Sequence, residues 1–336
     1  MQLTWEIETR KNISIDEIEE VLDIGDFTQE SINELLNTKG IFSSTPEYKK
    51  FKNHKNWTLF NKYAMNHVLF IKNKRTELYT QYKPRITEIL NEVCDLVLNK
   101  VTNSDAIVLF YGTRAIQTFS NKLDNKWKNL SKKISTLDID IAVADPKEFS
   151  ILIYNYLVTY AKQTIWDNDI YITRVSLAEK TSDLYTISIS IKVKYIGQYF
   201  TGRCESILDC TNSKYWNPET YLNISDNVKC QTPIHYICGL VDKLFNTHIN
   251  PRILNETKKV AEMATREKIQ LLSLPELNTN IKEEIDILIK ISEGEQLSTY
   301  KHELSQNAAY NFLLNLLNNN KDDAFEIYDK WLISRL

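Results

Sequence analysis

The sequence predicts an α+β fold, in which a core with a mixed sheet is flanked by helical N- and C-terminal parts. Helical periodicity dominates the first hundred residues and the last hundred, while short apolar runs alternate with helical patterns between them. Only 7 Gly and 7 Pro occur in 336 residues, which argues against long flexible linkers. We therefore expect a helical region over 1–103, the α/β core over 104–230 and a helical region over 231–336.

The N-terminal region reads as helices of increasing length. Short helices are expected in the first forty residues, and Ser14-Ile15-Asp16-Glu17 predicts a capping box at the start of one of them. Long helical patterns follow over about 47–72 and 76–102. Pro84 lies inside the second pattern, which predicts that this stretch splits into two helices.

In the core the period changes to that of buried strands. Ala106–Tyr111 predicts a short strand that ends at Gly112, and a helix is expected over 114–122. A second apolar strand covers Leu137–Ala144, and a helix runs from Pro146 to about residue 162. Three further strands are expected at Ile170–Val175, Tyr185–Tyr195 and Ser206–Cys210, and from Pro233 onward the chain reads as helix.

Two carboxylates interrupt the apolar strand Leu137-Asp138-Ile139-Asp140-Ile141. Side chains alternate faces along a strand, so both acids are expected on one face, about 7 Å apart along the backbone. Two ionised carboxylates on a buried sheet repel each other and are poorly solvated. A divalent cation between them relieves both costs, and Mg²⁺ favours such hard oxygen ligands. The pair therefore predicts a metal site.

Residues on either side extend this prediction towards phosphate chemistry. Gly112 follows a strand and precedes a helix, so the backbone can approach a phosphate at the positive end of that helix, and Thr113 adds a hydroxyl donor. A third carboxylate is expected on a neighbouring strand. Asp209 is the best candidate because it lies within a short apolar run, whereas Glu205 and Asp183 lie at the edges of theirs.

These motifs, in this order, resemble those of the polymerase-β-like nucleotidyltransferase superfamily. Its pattern is a Gly-containing turn and helix, a strand with Asp-x-Asp, and a later strand with one more Asp, matched here by Gly112-Thr113, by Asp138 and Asp140, and by Asp209. Within the superfamily the layout looks most like the poly(A) polymerases of large cytoplasmic DNA viruses, of the poxvirus and mimivirus type. The resemblance covers roughly residues 105–272.

The resemblance implies a nucleotidyltransferase catalytic domain over 104–230 and a two-metal mechanism using Mg²⁺ or Mn²⁺. Asp138, Asp140 and Asp209 would bind the metal ions, and AMP would pass from ATP to an RNA 3′ end without a template. Two alternatives stay open. One keeps the fold but changes the acceptor to tRNA, a protein or a small molecule, and the other is a non-catalytic RNA-binding subunit with a degenerate fold.

Basic segments flank the predicted catalytic region. Residues 48–75 contain no acid, and their lysines are interleaved with aromatic side chains, a combination typical of single-stranded nucleic acid binding. A basic face over an aromatic core is at least as good an explanation for the aromatics. The predicted RNA-binding residues are Lys49, Lys50, Lys52, Lys55, Arg252, Lys259 and Arg266. By analogy with the superfamily, Lys243 is a predicted triphosphate ligand.

Composition indicates the charge distribution, the state of the cysteines and the cellular location to expect. The formal net charge is −3, with 41 Lys and Arg against 44 Asp and Glu, so local charge is more informative than the total. Five cysteines without Cys-x-x-Cys spacing predict free thiols rather than a zinc site. No apolar run is long enough to span a membrane, so we expect a cytoplasmic protein, in the host cytoplasm or the virion if the chain is viral. Relatives imply a homodimer or a processivity subunit.

Overall fold

The computed structural model describes residues 1–7, 12–40, 51–123, 137–166, 169–216, 221–231, Tyr236, a few positions between 308 and 315, and 320–333. The chain divides into two units, each built from two separate stretches. The first unit combines Met1–Lys100 with Lys147–Asp209, and the second combines Val101–Pro146 with Cys210–Leu336. The three consecutive regions predicted from the sequence stay a prediction. The predicted α+β class is confirmed, because nine strands in the described part of the chain belong to a mixed sheet accompanied by helices.

The described chain contains the following helices and strands, numbered in chain order. The helices are α1 (Ile15–Ile24), α2 (Gln29–Lys39), α3 (Trp57–Thr102), α4 (Gly112–Leu123), α5 (Pro146–Gln163) and α6 (Lys321–Ile333). The strands are β1 (Gln2–Glu6), β2 (Val108–Tyr111), β3 (Ile139–Val143), β4 (Ile165–Trp166), β5 (Ile170–Thr181), β6 (Leu184–Ile196), β7 (Tyr199–Asn212), β8 (Tyr221–Asn223) and β9 (Val228–Gln231).

The start of α1 is the predicted capping box. The Ser14 hydroxyl accepts a hydrogen bond from the Glu17 N–H at 3.1 Å, and the Glu17 carboxylate accepts one from the Ser14 N–H at 2.7 Å. The ammonium of Lys39, at the end of α2, lies 2.8 Å from the other Glu17 oxygen. Together with the capping bonds, this hydrogen bond lowers the pKa of Glu17 to about 2. The box therefore stabilises the start of α1 and also joins α1 to α2.

Helix α3 is one continuous helix of 46 residues, so the predicted break after residue 72 and the predicted split at Pro84 are wrong. Buried side chains lie on both sides of the proline, including Ala64 and Ile71 before it and Ile86 and Val93 after it. Packing along the whole length keeps the helix intact, although Pro84 lacks the N–H that would bond to the carbonyl four residues earlier.

In the first unit the strand order is β1-β5-β6-β7, with β4 also paired to β5. Strand β1, which falls where the sequence predicts short helices, runs antiparallel to β5 from Gln2 opposite Ala178 to Glu6 opposite Arg174. Strands β5 and β6 form an antiparallel pair longer than the predicted runs. Strand β7 is joined to α2 by the Tyr199 hydroxyl, which donates a hydrogen bond to the Leu36 carbonyl at 3.0 Å.

The second unit holds the mixed part of the sheet, in the order β3-β2-β9-β8. Strand β2 runs antiparallel to β3 and parallel to β9, and β8 runs antiparallel to β9. The predicted strand at 106–111 and the predicted helices at 114–122 and 146–162 are confirmed with shifted ends, whereas β8 and β9 were not predicted. In the described residues, no helix is long and apolar enough to cross a membrane.

His67 is a buried imidazole in the packing of α3. It is 1% exposed, its Nδ1 lies 3.0 Å from the Asn33 side-chain oxygen on α2, and its ring lies 5.9 Å from that of Tyr199 on β7. Its Nε2 is buried and has no hydrogen-bond partner among the described residues. Burial lowers the pKa of His67 below its usual value of 6.5, because removal from water disfavours the charged form of the ring.

We expect acid to destabilise the first unit through His67. The unfolded chain binds the proton more strongly than the folded one, so the contribution of neutral His67 is complete above about pH 6.5 and decreases as the pH falls below it. The free energy of unfolding should fall as the pH is lowered below about 6.5, and His67→Gln should reduce that fall. His54→Gln, at the partly exposed His54–Asp23 pair, is the control and should leave the pH dependence of the unfolding free energy unchanged. An unchanged drop in His67→Gln would contradict this assignment.

We also expect Pro84→Ala to stabilise the protein. Pro84 is exposed inside α3, so alanine restores a backbone hydrogen bond without disturbing the core. Proline in a helix interior costs about 3 kcal/mol of stability relative to alanine. It also restricts the unfolded chain, which stabilises the protein by about 0.4–1 kcal/mol, and alanine loses this smaller contribution. Urea titration should show a gain of about 1–3 kcal/mol. Gln81→Ala, at a nearby exposed position, should change the free energy far less; a loss of stability in Pro84→Ala would show that α3 requires the proline.

Candidate functional site

The paired carboxylates lie at the beginning of β3. Ile139 and Ile141 are fully buried on one face of this strand, while Asp140 is half-buried on the other. Asp138 is also half-buried but lies one residue before the strand, so the prediction that both acids belong to the strand is correct for Asp140 alone. In the antiparallel register, Asp140 lies directly opposite Tyr111, the last residue of β2. This register brings the acid to the turn between β2 and α4.

Gly112, the first residue of α4, lies against the Asp140 carboxylate. Its φ is +75°, in the left-handed region that favours glycine. A Cβ at this position would lie 3.1 Å from Cγ of Asp140 and closer still to its Oδ2, so no larger residue fits without moving the acid. The Gly112 N–H donates to the side-chain oxygen of Gln231, on β9, at 2.9 Å. The glycine thus permits a close approach of backbone to carboxylate, and its own amide already has a protein partner.

Thr113, the residue after Gly112, contacts a side chain from later in the sequence. The Thr113 hydroxyl lies 3.0 Å from the hydroxyl of Tyr236, a side chain that is only 4% exposed. No acid occurs in the first turn of α4, so the positive end of the helix dipole is uncompensated from within that turn. The turn therefore places the Asp140 carboxylate beside a helix N-terminus that favours anions.

Tyr111 connects this turn to the end of β7. Its hydroxyl lies 3.3 Å from the Thr211 hydroxyl, which donates to the Ile141 carbonyl at 3.3 Å. Its ring centroid lies 4.6 Å from that of Trp216, just after β7. The sequence reasoning missed Tyr111, Trp216 and Gln231, because none carries a motif and each is recruited by the pairing of distant strands.

Asp209, the predicted third carboxylate, is half-buried on β7. It is the last residue of the first unit, and it accepts a hydrogen bond from the Ser206 hydroxyl at 3.5 Å. Within the part of the chain that the structure describes, no group of three or more His, Cys, Asp or Glu side chains is arranged to hold a metal ion. The joint metal site of Asp138, Asp140 and Asp209 stays a prediction.

The predicted RNA-binding residues are only partly within the described chain. Lys52 and Lys55 are exposed, whereas Lys49, Lys50, Lys243, Arg252, Lys259 and Arg266 lie outside the described residues. The aromatics among the basic residues belong mostly to the core of the first unit: Phe51 and Phe60 are buried there, and Trp57 and Tyr63 pack against them. This confirms the core interpretation of those aromatics, while Phe70 remains 50% exposed.

Four of the five cysteines lie within the described residues. Cys94, Cys204, Cys210 and Cys230 are free thiols, as predicted, and Cys238 lies outside the described residues. Burial raises the pKa of the Cys230 thiol to about 12, so this group on β9 is neutral.

The chain is similar in structure to known proteins with which it shares little sequence identity. No protein family and no curated protein matches the chain. One similar solved structure is JHP933 from Helicobacter pylori, with 11% identity and a TM-score of 0.35 over 70% of this chain and 94% of that one. Another, also from H. pylori, is described as a candidate nucleotidyltransferase, with 11% identity and a TM-score of 0.36 over 72% of this chain and 96% of that one.

The contact between Gly112 and Asp140 predicts a measurable coupling. Gly112→Ala should lower the free energy of unfolding by about 1–3 kcal/mol, because alanine is strained at positive φ and meets the carboxylate. In the Asp140→Ala background the Cγ and oxygens are gone, so the same change should cost less, with a coupling energy of about 0.5–3 kcal/mol.

Gly25→Ala is the matched control for this cycle. Gly25 also has a positive φ, of +67°, but its added Cβ would meet the side-chain amide of Asn56. Its cost should therefore be the same with and without Asp140→Ala. Equal costs of Gly112→Ala in both backgrounds would show that the carboxylate does not constrain the glycine.

Proposed function

We propose that this chain is a metal-dependent nucleotidyltransferase that adds AMP from ATP to RNA 3′ ends. The observation that carries the proposal is the packing of Gly112, at the first turn of α4, against the Asp140 carboxylate. Nucleotidyl transfer needs an anion-binding turn and a metal-binding acid side by side, because the triphosphate must be held and its charge neutralised at one place. Gly112 adopts this positive φ without strain and has no Cβ, and it is the feature that permits this proximity.

The donor chemistry of the turn fits Mg²⁺ or Mn²⁺. Asp138 and Asp140 are half-buried carboxylates two residues apart, and hard oxygen ligands of this kind suit these ions. We propose Asp209 as the third carboxylate, by its place in the sequence motif. When bound, the metal ions would neutralise charge on the triphosphate and lower the pKa of the attacking hydroxyl.

The remaining roles belong to the protein and its substrates. The first turn of α4, with the Thr113 hydroxyl, would orient the triphosphate. The 3′ oxygen of the RNA forms a bond to the α-phosphorus, the bond to the bridging oxygen breaks, and pyrophosphate leaves. We propose that Asp209 helps to remove the hydroxyl proton. No covalent enzyme intermediate is required, which agrees with the neutral thiol of Cys230.

The choice of RNA as acceptor is supported by charge near the start of α3. Lys52 and Lys55 are exposed, and residues 48–75 contain no acid to offset them. A surface of this kind favours a long polyanion over a small neutral acceptor, because each phosphate contact releases counterions. The same fold with tRNA, a protein or a small molecule as acceptor is the second candidate, and the assay below distinguishes it.

The purified protein should extend a short RNA with ATP in the presence of Mg²⁺. A homopolymeric ladder is expected with labelled ATP, and Asp138→Asn or Asp140→Asn should reduce the rate by at least about 10²-fold, since each removes a charge that holds the metal ion. Chelation with EDTA should abolish the ladder. Asp226→Asn, at an exposed acid between β8 and β9, is the matched control and should retain the wild-type rate.

Other outcomes would redirect the assignment. Equal extension with all four nucleotides would contradict selection of ATP but retain nucleotidyl transfer to RNA. Labelling of tRNA, of a protein or of a small molecule in place of the RNA would identify the other acceptor class. No transfer to any of them, with Mg²⁺ or Mn²⁺, would contradict the enzyme assignment and favour a non-catalytic RNA-binding subunit.

A further inference from the structure

Three aromatic side chains of the second unit form a connected group beside the carboxylates. The rings of Tyr111 and Trp216 are 4.6 Å apart between centroids with an interplanar angle of 37°, and those of Trp216 and Tyr221 are 6.2 Å apart at 45°. We refer to Tyr111, Trp216 and Tyr221 as the aromatic cluster. It belongs to neither the carboxylate pair nor the turn after β2, and the function proposed above does not use it.

The aromatic cluster begins on the same face of the sheet as Asp140. Residues directly opposite each other in an antiparallel pair project to the same side, with Cβ atoms about 4.5–5.5 Å apart, and Tyr111 is directly opposite Asp140. The hydroxyl of Tyr111 lies 3.3 Å from that of Thr211, which is itself bonded to the Ile141 carbonyl. The Tyr111 ring is therefore held at a fixed position next to the acid.

Burial distinguishes the aromatic cluster from ordinary core packing. All three rings are half-buried, so each offers part of its surface to solvent, whereas Phe110, the neighbour of Tyr111 in β2, is 1% exposed. The Tyr221 hydroxyl oxygen is buried, and no hydrogen-bond partner for it lies in the part of the chain that the structure describes. Burial also raises the pKa of Tyr221, so the group is a neutral donor. A phenylalanine would fill a purely structural position without this unsatisfied donor.

We propose that the aromatic cluster binds the base of the nucleotide, with Trp216 as the stacking ring. The inference rests on the function proposed above and adds the position of the base to it. Every nucleobase has a π-face, and stacking on an aromatic side chain tolerates all four bases. The aromatic cluster therefore supplies affinity for the nucleoside part, while the choice among bases depends on hydrogen bonds made elsewhere.

The test compares a ligand that has a base with one that lacks it. Binding of ATP and of inorganic tripolyphosphate is measured by calorimetry with Mg²⁺ and without RNA. Trp216→Leu should weaken ATP binding by about 10-fold or more and leave tripolyphosphate binding unchanged. GTP, CTP and UTP should lose affinity by a similar factor. Trp216→Phe keeps an aromatic ring and should retain most of the ATP affinity, which also guards against a folding defect in the leucine variant.

Trp166→Leu is the matched control. Trp166 is a half-buried tryptophan of the first unit, and its ring lies 6.2 Å from that of Tyr160. It therefore has a tryptophan–tyrosine ring contact like that of Trp216 but does not belong to the aromatic cluster. Its ATP affinity should equal that of the wild type. Circular dichroism of Trp216→Leu and Trp166→Leu should show the wild-type helix content.

The other possible results test the base site and the proposed function separately. Wild-type ATP affinity in Trp216→Leu, together with loss of ATP binding in Asp140→Asn, would overturn the base site and retain the proposed function. Equal weakening of ATP and tripolyphosphate in Trp216→Leu would show that Trp216 only supports the phosphate turn, which also overturns the base site. If the wild type bound neither ligand, both the base site and the proposed function would be overturned.

Discussion

The contact between the backbone of Gly112 and the carboxylate of Asp140 is the constraint on which the candidate site depends. The antiparallel register of β2 and β3 sets it, because that register puts Tyr111 opposite Asp140 and leaves the next residue to turn into α4. A side chain at Gly112 would displace the acid, and a different φ would redirect the helix. One residue therefore fixes both the direction of the helix N-terminus and its distance from the carboxylate.

Neighbouring hydrogen bonds keep this arrangement in place. Gln231 is 4% exposed and satisfies the Gly112 N–H, so the buried strand β9 holds the turn from one side. Tyr236 holds Thr113, and Thr211 bridges Tyr111 to the backbone of β3. Each bond is modest in water but costly to lose when buried, because the freed group is left unsatisfied. The turn is consequently rigid before any ligand arrives, and this reduces the ordering cost of binding.

The sequence predicted the parts of this site that are local. Asp138, Asp140, Gly112 and Thr113 are separated by short distances along strands and turns, so periodicity and turn chemistry are sufficient to find them. Gln231, Trp216 and Tyr236 escaped prediction because they depend on strand order, which involves pairing between residues about a hundred positions apart. The same limit explains the missed β1, whose five residues acquire a strand identity only by pairing with β5. At Pro84 a local rule gave the wrong answer, since packing along α3 outweighs the cost of one proline.

The composition of the site also explains why its chemistry is easier to infer than its specificity. Metal binding and phosphate orientation need charges and dipoles at fixed positions, and these are set by backbone features such as the Gly112 turn and the first residues of β3. Base recognition uses ring surfaces and a few hydrogen bonds, which a sheet can supply from any strand that ends nearby. In the base site that we propose, the ring surfaces come from the end of β2, the segment after β7 and the start of β8. Since those three positions carry no shared spacing, the proposed reaction class depends on a compact motif, while the proposed base contacts depend on the topology of the sheet.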